Sequence, residues 1–185
     1  VEPHPPGDAE VASIAAHGIE AGLPDGFEGR IFVRPVVGDE ETYPVAHFAT
    51  FPLPPDVGDF GSGAVTQMGA TDIFVALFEY GPASLGTRLF ARQGMPRSLT
   101  PGNFKSTVLR RGLSGQSGTQ WFFTEAERPF TLYVVLGSHS LRGSLVPRVN
   151  QLLRSLTVVP VAASPTATSS ATAPTGGPPL SPRWN

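Results

Sequence analysis

The chain has 185 residues, 40% hydrophobic and 15% charged, with 21 glycines, 20 prolines and no cysteine, a length suited to about one domain of ordinary size. The lack of cysteine excludes a disulfide scaffold, thiolate-ligated zinc, iron-sulfur clusters and a cysteine nucleophile. A net charge of -2 and a pI near 6.1 lack the basic excess of a nucleic-acid binder. The longest apolar runs, Ile73 to Phe78 and Leu132 to Leu136, are strand-sized and far from the roughly 20 residues of a bilayer span.

The chain opens at Val1 rather than Met, which leads us to expect an upstream signal, anchor or further domain, and leaves the compartment open. The first residues, VEPHPPG, carry three prolines and predict an extended linker, with a short helix capped by Asp8 and carrying Val11, Ile14 and Ala15 as the other reading of residues 1 to 16. From His17 to Val159 the pattern is mostly β. Gly18 to Leu23 and Glu28 to Val37 flank Pro24-Asp25-Gly26, so the two segments read as a hairpin. Tyr43 to Phe51 reads as the next strand, with Pro44 tolerable at its start. Ile73 to Tyr80 is apolar on both faces except for Glu79, the mark of a central strand covered on both sides and of a layered fold.

Thr119 to Thr124 and Phe130 to Gly137 are aromatic and β-branched, and residues 125 to 129 join them into a second hairpin. The clearest helix follows at about Ser144 to Ser155. Leu145, Val149, Leu152, Leu153 and Leu156 form its apolar stripe, Ser144 is its expected cap, and Pro147 is placed in its first turn. Leu156 to Val159 is expected to return to the sheet. Residues 160 to 185 hold six prolines, one charge and almost no large apolar side chain before Trp184, so a disordered Pro/Thr/Ser/Ala-rich tail is predicted. Its composition also fits an O-glycosylated stalk or an interdomain spacer. The expected class is α+β, a single sandwich domain in which helices pack on the faces of a mostly antiparallel sheet.

The opening Gly18-Ile-Glu-Ala-Gly-Leu-Pro-Asp-Gly-Phe27, together with the closing strand, helix and Leu-rich exit through Leu156, resembles the PsbP/Mog1-like α/β/α sandwich. Asp59-Phe-Gly-Ser-Gly-Ala64, Leu89-Phe-Ala-Arg-Gln-Gly94 and Leu132-Tyr-Val-Val-Leu-Gly137 are also similar to segments of short, uncharacterised actinobacterial proteins. Neither resemblance brings catalytic residues. The sandwich family implies binding, assembly or accessory work within larger machines.

The glycine-dense Asp59 to Ala64 lacks the spacing of a phosphate-binding loop and reads as a turn, and Gly112 to Gly118 reads as a flexible connection without G-x-S-x-G. Of the four histidines, His4 falls in the linker, His17 near the start of the domain and His47 within a strand. His139, in Gly137-Ser-His-Ser140, is the best base for a small serine hydrolase, the alternative to a binding module. Histidine spacing matches no metal motif, Asp39-Glu40-Glu41 reads as a solvated turn, and no metal or cofactor is expected. Trp121, Phe122, Phe123, Phe130 and Tyr133 suit either a stacking platform or, more simply, the core.

Charge is the most unequal feature. Residues 1 to 80 hold 13 acids and 2 bases, whereas residues 81 to 185 hold 11 bases and 2 acids. Lys105 is the only lysine, an arginine bias that a GC-rich genome explains as well as any need for guanidinium geometry. The halves either neutralise each other within the domain or leave a basic face, carried by Arg88, Arg92, Arg97, Arg110 and Arg111, that docks an acidic protein or a second copy. The functional expectation is a non-enzymatic protein-binding or accessory module. Weak anion or carbohydrate binding stands beside the hydrolase as an alternative.

Overall fold

The structure is a computed structural model, and it describes residues 12–36, 38, 41–55, 58, 60, 63–107 and 113–160. Among the described residues, two antiparallel sheets, one α-helix and four single-turn 3-10 helices make up the regular elements, a mixed α+β fold. Three short strands, β1 (Ser13–Ala16), β2 (Ile19–Gly22) and β8 (Thr157–Val158), form a small sheet in the order β1-β2-β8. The larger sheet contains β3 (Glu28–Val33), β4 (Pro44–Ala49), β5 (Ile73–Glu79), β6 (Ser117–Glu125) and β7 (Arg128–Leu136), in the order β3-β4-β5-β7-β6. The helix, α1, spans Arg142–Ser155.

β5 takes the middle of the large sheet, and all seven of its residues are buried, as expected of a strand apolar on both faces. One face of that sheet carries Val75, Leu77, Leu132, Val134, Phe123 and Phe130, which share a single core cluster with Leu145, Val149, Leu152 and Leu153 of α1. Ile19, Ala21 and Val158 of the small sheet enter the same cluster. The small sheet lies close against β3, and Gly29 allows it. A Cβ there would meet the Ile14 Cδ1 at 2.7 Å and the Phe48 ring at 2.9 Å.

The opposite face is closed without an α-helix, by an irregular segment that includes a 3-10 turn at Val65–Gln67. Phe51, Leu53, Val65 and Met68 pack over Ala49, Phe74, Ala76 and Val135. Phe60 sets its ring 5.8 Å from Phe78 and edge-on to Tyr133 at 5.7 Å.

Several expectations need correction. The turn at Pro24-Asp25-Gly26 forms, with the Phe27 N–H donating to the Pro24 carbonyl at 2.9 Å, but its flanking strands do not pair. β2 pairs with β1 and β8, and β3 with β4, so the turn carries the chain from one sheet to the other. Ile14 and Ala15 lie on strand β1 rather than on a helix, and a domain start at His17 cuts through the β1–β2 hairpin. Asp8 and Val11 lie outside the described residues.

The second hairpin is tighter than expected. Glu125 pairs with Arg128, leaving only Ala126 and Glu127 to turn the chain, at φ of 51° and 59°. Ser117 and Gly118, read as flexible connection, begin β6. α1 starts two residues before Ser144, whose hydroxyl donates to the Leu141 carbonyl at 2.9 Å instead of capping amides. Pro147 therefore lies inside the helix. Beyond Pro160 the tail lies outside the described residues.

Candidate functional site

The basic stretch does not act as one set. Arg97 turns inward: its guanidinium donates to the Leu153 carbonyl at 3.1 Å and to the Leu156 carbonyl, and pairs with Glu125 at 3.4 Å. Those two carbonyls close the C-terminal end of α1, where a cation also favours the helix dipole. Asn150 completes the strap, accepting from the Leu99 N–H at 2.8 Å and donating to its carbonyl at 2.9 Å. Met95, Leu99 and Phe104 then enter the core cluster, so residues 95 to 104 are fastened beneath the helix. Arg92 is exposed and lies 5.1 Å from the centre of the Trp121 ring. Arg88 is exposed and makes no hydrogen bond or ion pair among the described residues. Arg110 and Arg111 lie outside the described residues.

The aromatic group divides by the two-residue period of a strand. Phe123 and Phe130 stack at 6.0 Å in the helix-side core, with Trp121 partly buried against it. Phe122 and Tyr133 lie on the other face, where Phe122 meets Phe90 edge-on at 5.7 Å. His47 is fully buried between the rings of Phe32 and Phe74.

His139 is held by its backbone, its N–H donating to Gly115 at 2.6 Å and its carbonyl accepting from Arg142 at 2.6 Å. The Ser138 and Ser140 hydroxyls bond each other at 2.8 Å, and the imidazole Nδ1 has no hydrogen-bond partner among the described residues. No serine or acid is thus aligned with it there. No group of three metal-ligating side chains occurs among the described residues. No helix among them is long and apolar enough to cross a membrane. Of the Asp59 to Ala64 loop, Asp59, Gly61 and Ser62 are not among the described residues; of the acidic run, neither are Asp39 and Glu40.

What the fold does assemble is a cleft of about 890 Å³ at one end of the sheets. Six separate stretches of chain meet there. The β1–β2 turn supplies His17 and Gly18, the end of β3 supplies Val33, and Tyr43 and Pro44 enter from the start of β4. Glu79 ends β5 and Tyr80 and Pro82 follow it, Ala126 to Pro129 come from the β6–β7 turn and the start of β7, and Val159 and Pro160 from the exit after β8.

Arg128 organises this end. Its Nε donates to Glu79 Oε1 at 2.9 Å and a terminal nitrogen to Oε2 at 2.5 Å, a bidentate pair in which both side chains are buried. The same guanidinium donates to the carbonyls of His17 at 3.0 Å, Gly18 at 3.2 Å and Val159 at 3.0 Å. One side chain therefore joins β5 and β7 of the large sheet to the turn between the hairpin strands of the small one and to the residue that follows its C-terminal strand. Its donors are consumed by the fold, and both Glu79 oxygens are occupied.

The walls are different in kind. Val33, Pro44, Pro82, Pro129 and Val159 are apolar, and Tyr43 and Tyr80 add ring surface. The Tyr43 hydroxyl donates to Glu41, and that hydrogen bond is the main cause holding its pKa above the ordinary 10.0. Its ring crosses Gly81 so closely that a Cβ there would lie 2.7 Å from the hydroxyl oxygen. At the rim, left-handed turns set His17 (φ 53°) and Glu127 facing solvent.

The sequence signals for this site are Glu79, the one acid of an apolar strand, and Arg128, a base beside a hairpin turn; nothing local joins them. No protein family, curated protein or solved structure matches the chain.

Proposed function

We propose that this chain is a non-enzymatic protein-binding or accessory module, and that the cleft takes an extended, apolar segment of a protein partner. The observation that carries this reading is the division of labour at the site. The buried charges, Glu79 and Arg128, are spent on each other and on backbone carbonyls, while the walls present tyrosine, proline and valine. A site that did chemistry would hold an acid, base or nucleophile aimed into the cleft, whereas the imidazole and carboxylate outside the buried pair, His17 and Glu127, face solvent at its rim. Aromatic and proline-lined grooves instead suit a preformed polyproline II segment, which loses little entropy on docking. A PsbP/Mog1-like relationship is the one we propose for the domain, in a form whose second helical layer is replaced by the irregular segment over the opposite face, and accessory work of that kind agrees with a cleft built to hold and not to convert. Arg88 and Arg92, which remain exposed, are the part of the basic stretch we assign to an acidic partner surface or a second copy.

The test is a titration of the full chain with a short proline-rich peptide, read by backbone amide shifts. Saturable shifts confined to His17, Tyr80, Glu127 and Val159 are expected. Shifts scattered over the surface would reject the cleft. Turnover of ester, phosphate or peptide substrates that is abolished by His139→Ala would replace the binding module with the hydrolase.

A further inference from the structure

The cleft and the tail of the same chain meet at Val159 and Pro160. These two residues form part of the cleft wall, and they are also where residues 161 to 185 depart. We propose that the segment from Pro178 to Trp184 of this tail is itself a ligand of the cleft, so that the chain carries its own competitor for the partner segment. The proposal rests on the reading of the cleft as a peptide groove.

Three observations carry it. The first is chemical match. Pro178-Pro179-Leu180-Ser181-Pro182 is rich in residues that favour the polyproline II conformation, and it ends in Arg183 and Trp184, the only charge and the only aromatic ring between 161 and 185. The second is electrostatic. The charge of Arg128 is already balanced by Glu79, while Glu127 at the rim and Glu41 on Tyr43 are acids against which a guanidinium suits and a carboxylate would not.

The third is reach. Residues 161 to 177 contain only small side chains, valine, threonine and proline, without charge or ring, which is a spacer composition. Chain statistics give a spacer of that length and composition an end-to-end distance of roughly 20 to 25 Å, and the residue before it, Pro160, lines the cleft itself. Its ligand is therefore presented at an effective concentration on the order of 1 mM. Even an intrinsic dissociation constant of about 0.1 mM would leave the cleft mostly filled and weaken an external peptide about tenfold.

The experiment compares the full chain with a full-length variant carrying Pro179→Gly, Pro182→Gly and Arg183→Glu, changes outside the described fold. Both are titrated with a synthetic peptide of the sequence GPPLSPRWN, and amide shifts of His17, Tyr80, Glu127 and Val159 are followed at two protein concentrations. The expected result has three parts: cleft amides that differ between the two proteins before peptide is added, no change with protein concentration, and peptide binding about tenfold tighter in the variant. Added Glu127→Lys should narrow the difference in peptide affinity. Identical cleft spectra and equal affinities would overturn the proposal while leaving the peptide groove intact. Cleft shifts that grow with protein concentration would also overturn it, by assigning the tail to a second copy. Peptide binding to neither protein would remove the groove and its ligand together.

Discussion

The two faces of the large sheet are closed by different means. On one, a 14-residue helix and a small sheet press long aliphatic side chains into a continuous cluster. On the other, an irregular segment lays half-buried rings over a smaller one. A helix presents a whole stripe of side chains with its backbone hydrogen bonds already satisfied, so its face excludes water completely. A loop must solvate its own backbone, and it covers a sheet in patches. Cohesion should therefore be concentrated on the helix side, and the cleft lies at that side's least aliphatic end.

The largest loss should come at Arg128. Replacing it with alanine leaves Glu79 buried without a partner and should cost about 3 to 5 kcal/mol in urea unfolding. Glu79→Met combined with Arg128→Met should restore most of that, since two apolar groups leave no uncompensated charge. If the double variant is as unstable as the single, the carbonyl bonds to the small sheet, and not the unpaired acid, dominate. Leu152→Ala should follow at about 2 to 5 kcal/mol, because its side chain is fully buried beneath the helix.

Phe60→Ala on the loop side should cost only about 1 to 2 kcal/mol, as its ring is half-buried. A value equal to that of Leu152 would abolish the contrast between the faces. The smallest effect concerns pH. Burial holds the Tyr133 hydroxyl on the loop side above the ordinary value of 10.0. The folded state therefore keeps a proton that the unfolded chain releases, and the associated stability, complete below pH 10, is lost as pH rises through the folded value. Tyr133→Phe should flatten the alkaline side of a stability-pH curve measured from pH 8 to 11.

What was legible in the residues was what is local. β5, the β6–β7 hairpin and α1 each follow from a period or a run within a single segment. The turn at Pro24 to Gly26 is equally local, yet its strands belong to different sheets because β2 pairs with β1 and with the distant β8, while β3 pairs with the strand that follows it, β4. β1 escaped because Ser13, Ala15 and Ala16 carry too little apolar contrast to mark a strand. The cleft was illegible for the same reason as the pairing: Arg128 meets His17, Glu79 and Val159 only once both sheets exist. Arg97 counted toward a basic face because sequence does not show that helix carbonyls end within its reach.

The pairing of Glu20 with Thr157 sets an order of events during synthesis. The β1–β2 hairpin is made first and then has no third strand until nearly the whole domain has been translated, and Arg128, which ties it down, arrives late as well. Contacts of such long sequence separation require loop closure before they return any stability, so this corner should complete last and reopen first. Until Thr157 and Val158 are made, the nascent hairpin should offer an unpaired edge to neighbouring chains, so slower translation through α1 and β8 should lower the yield of cleanly folded protein.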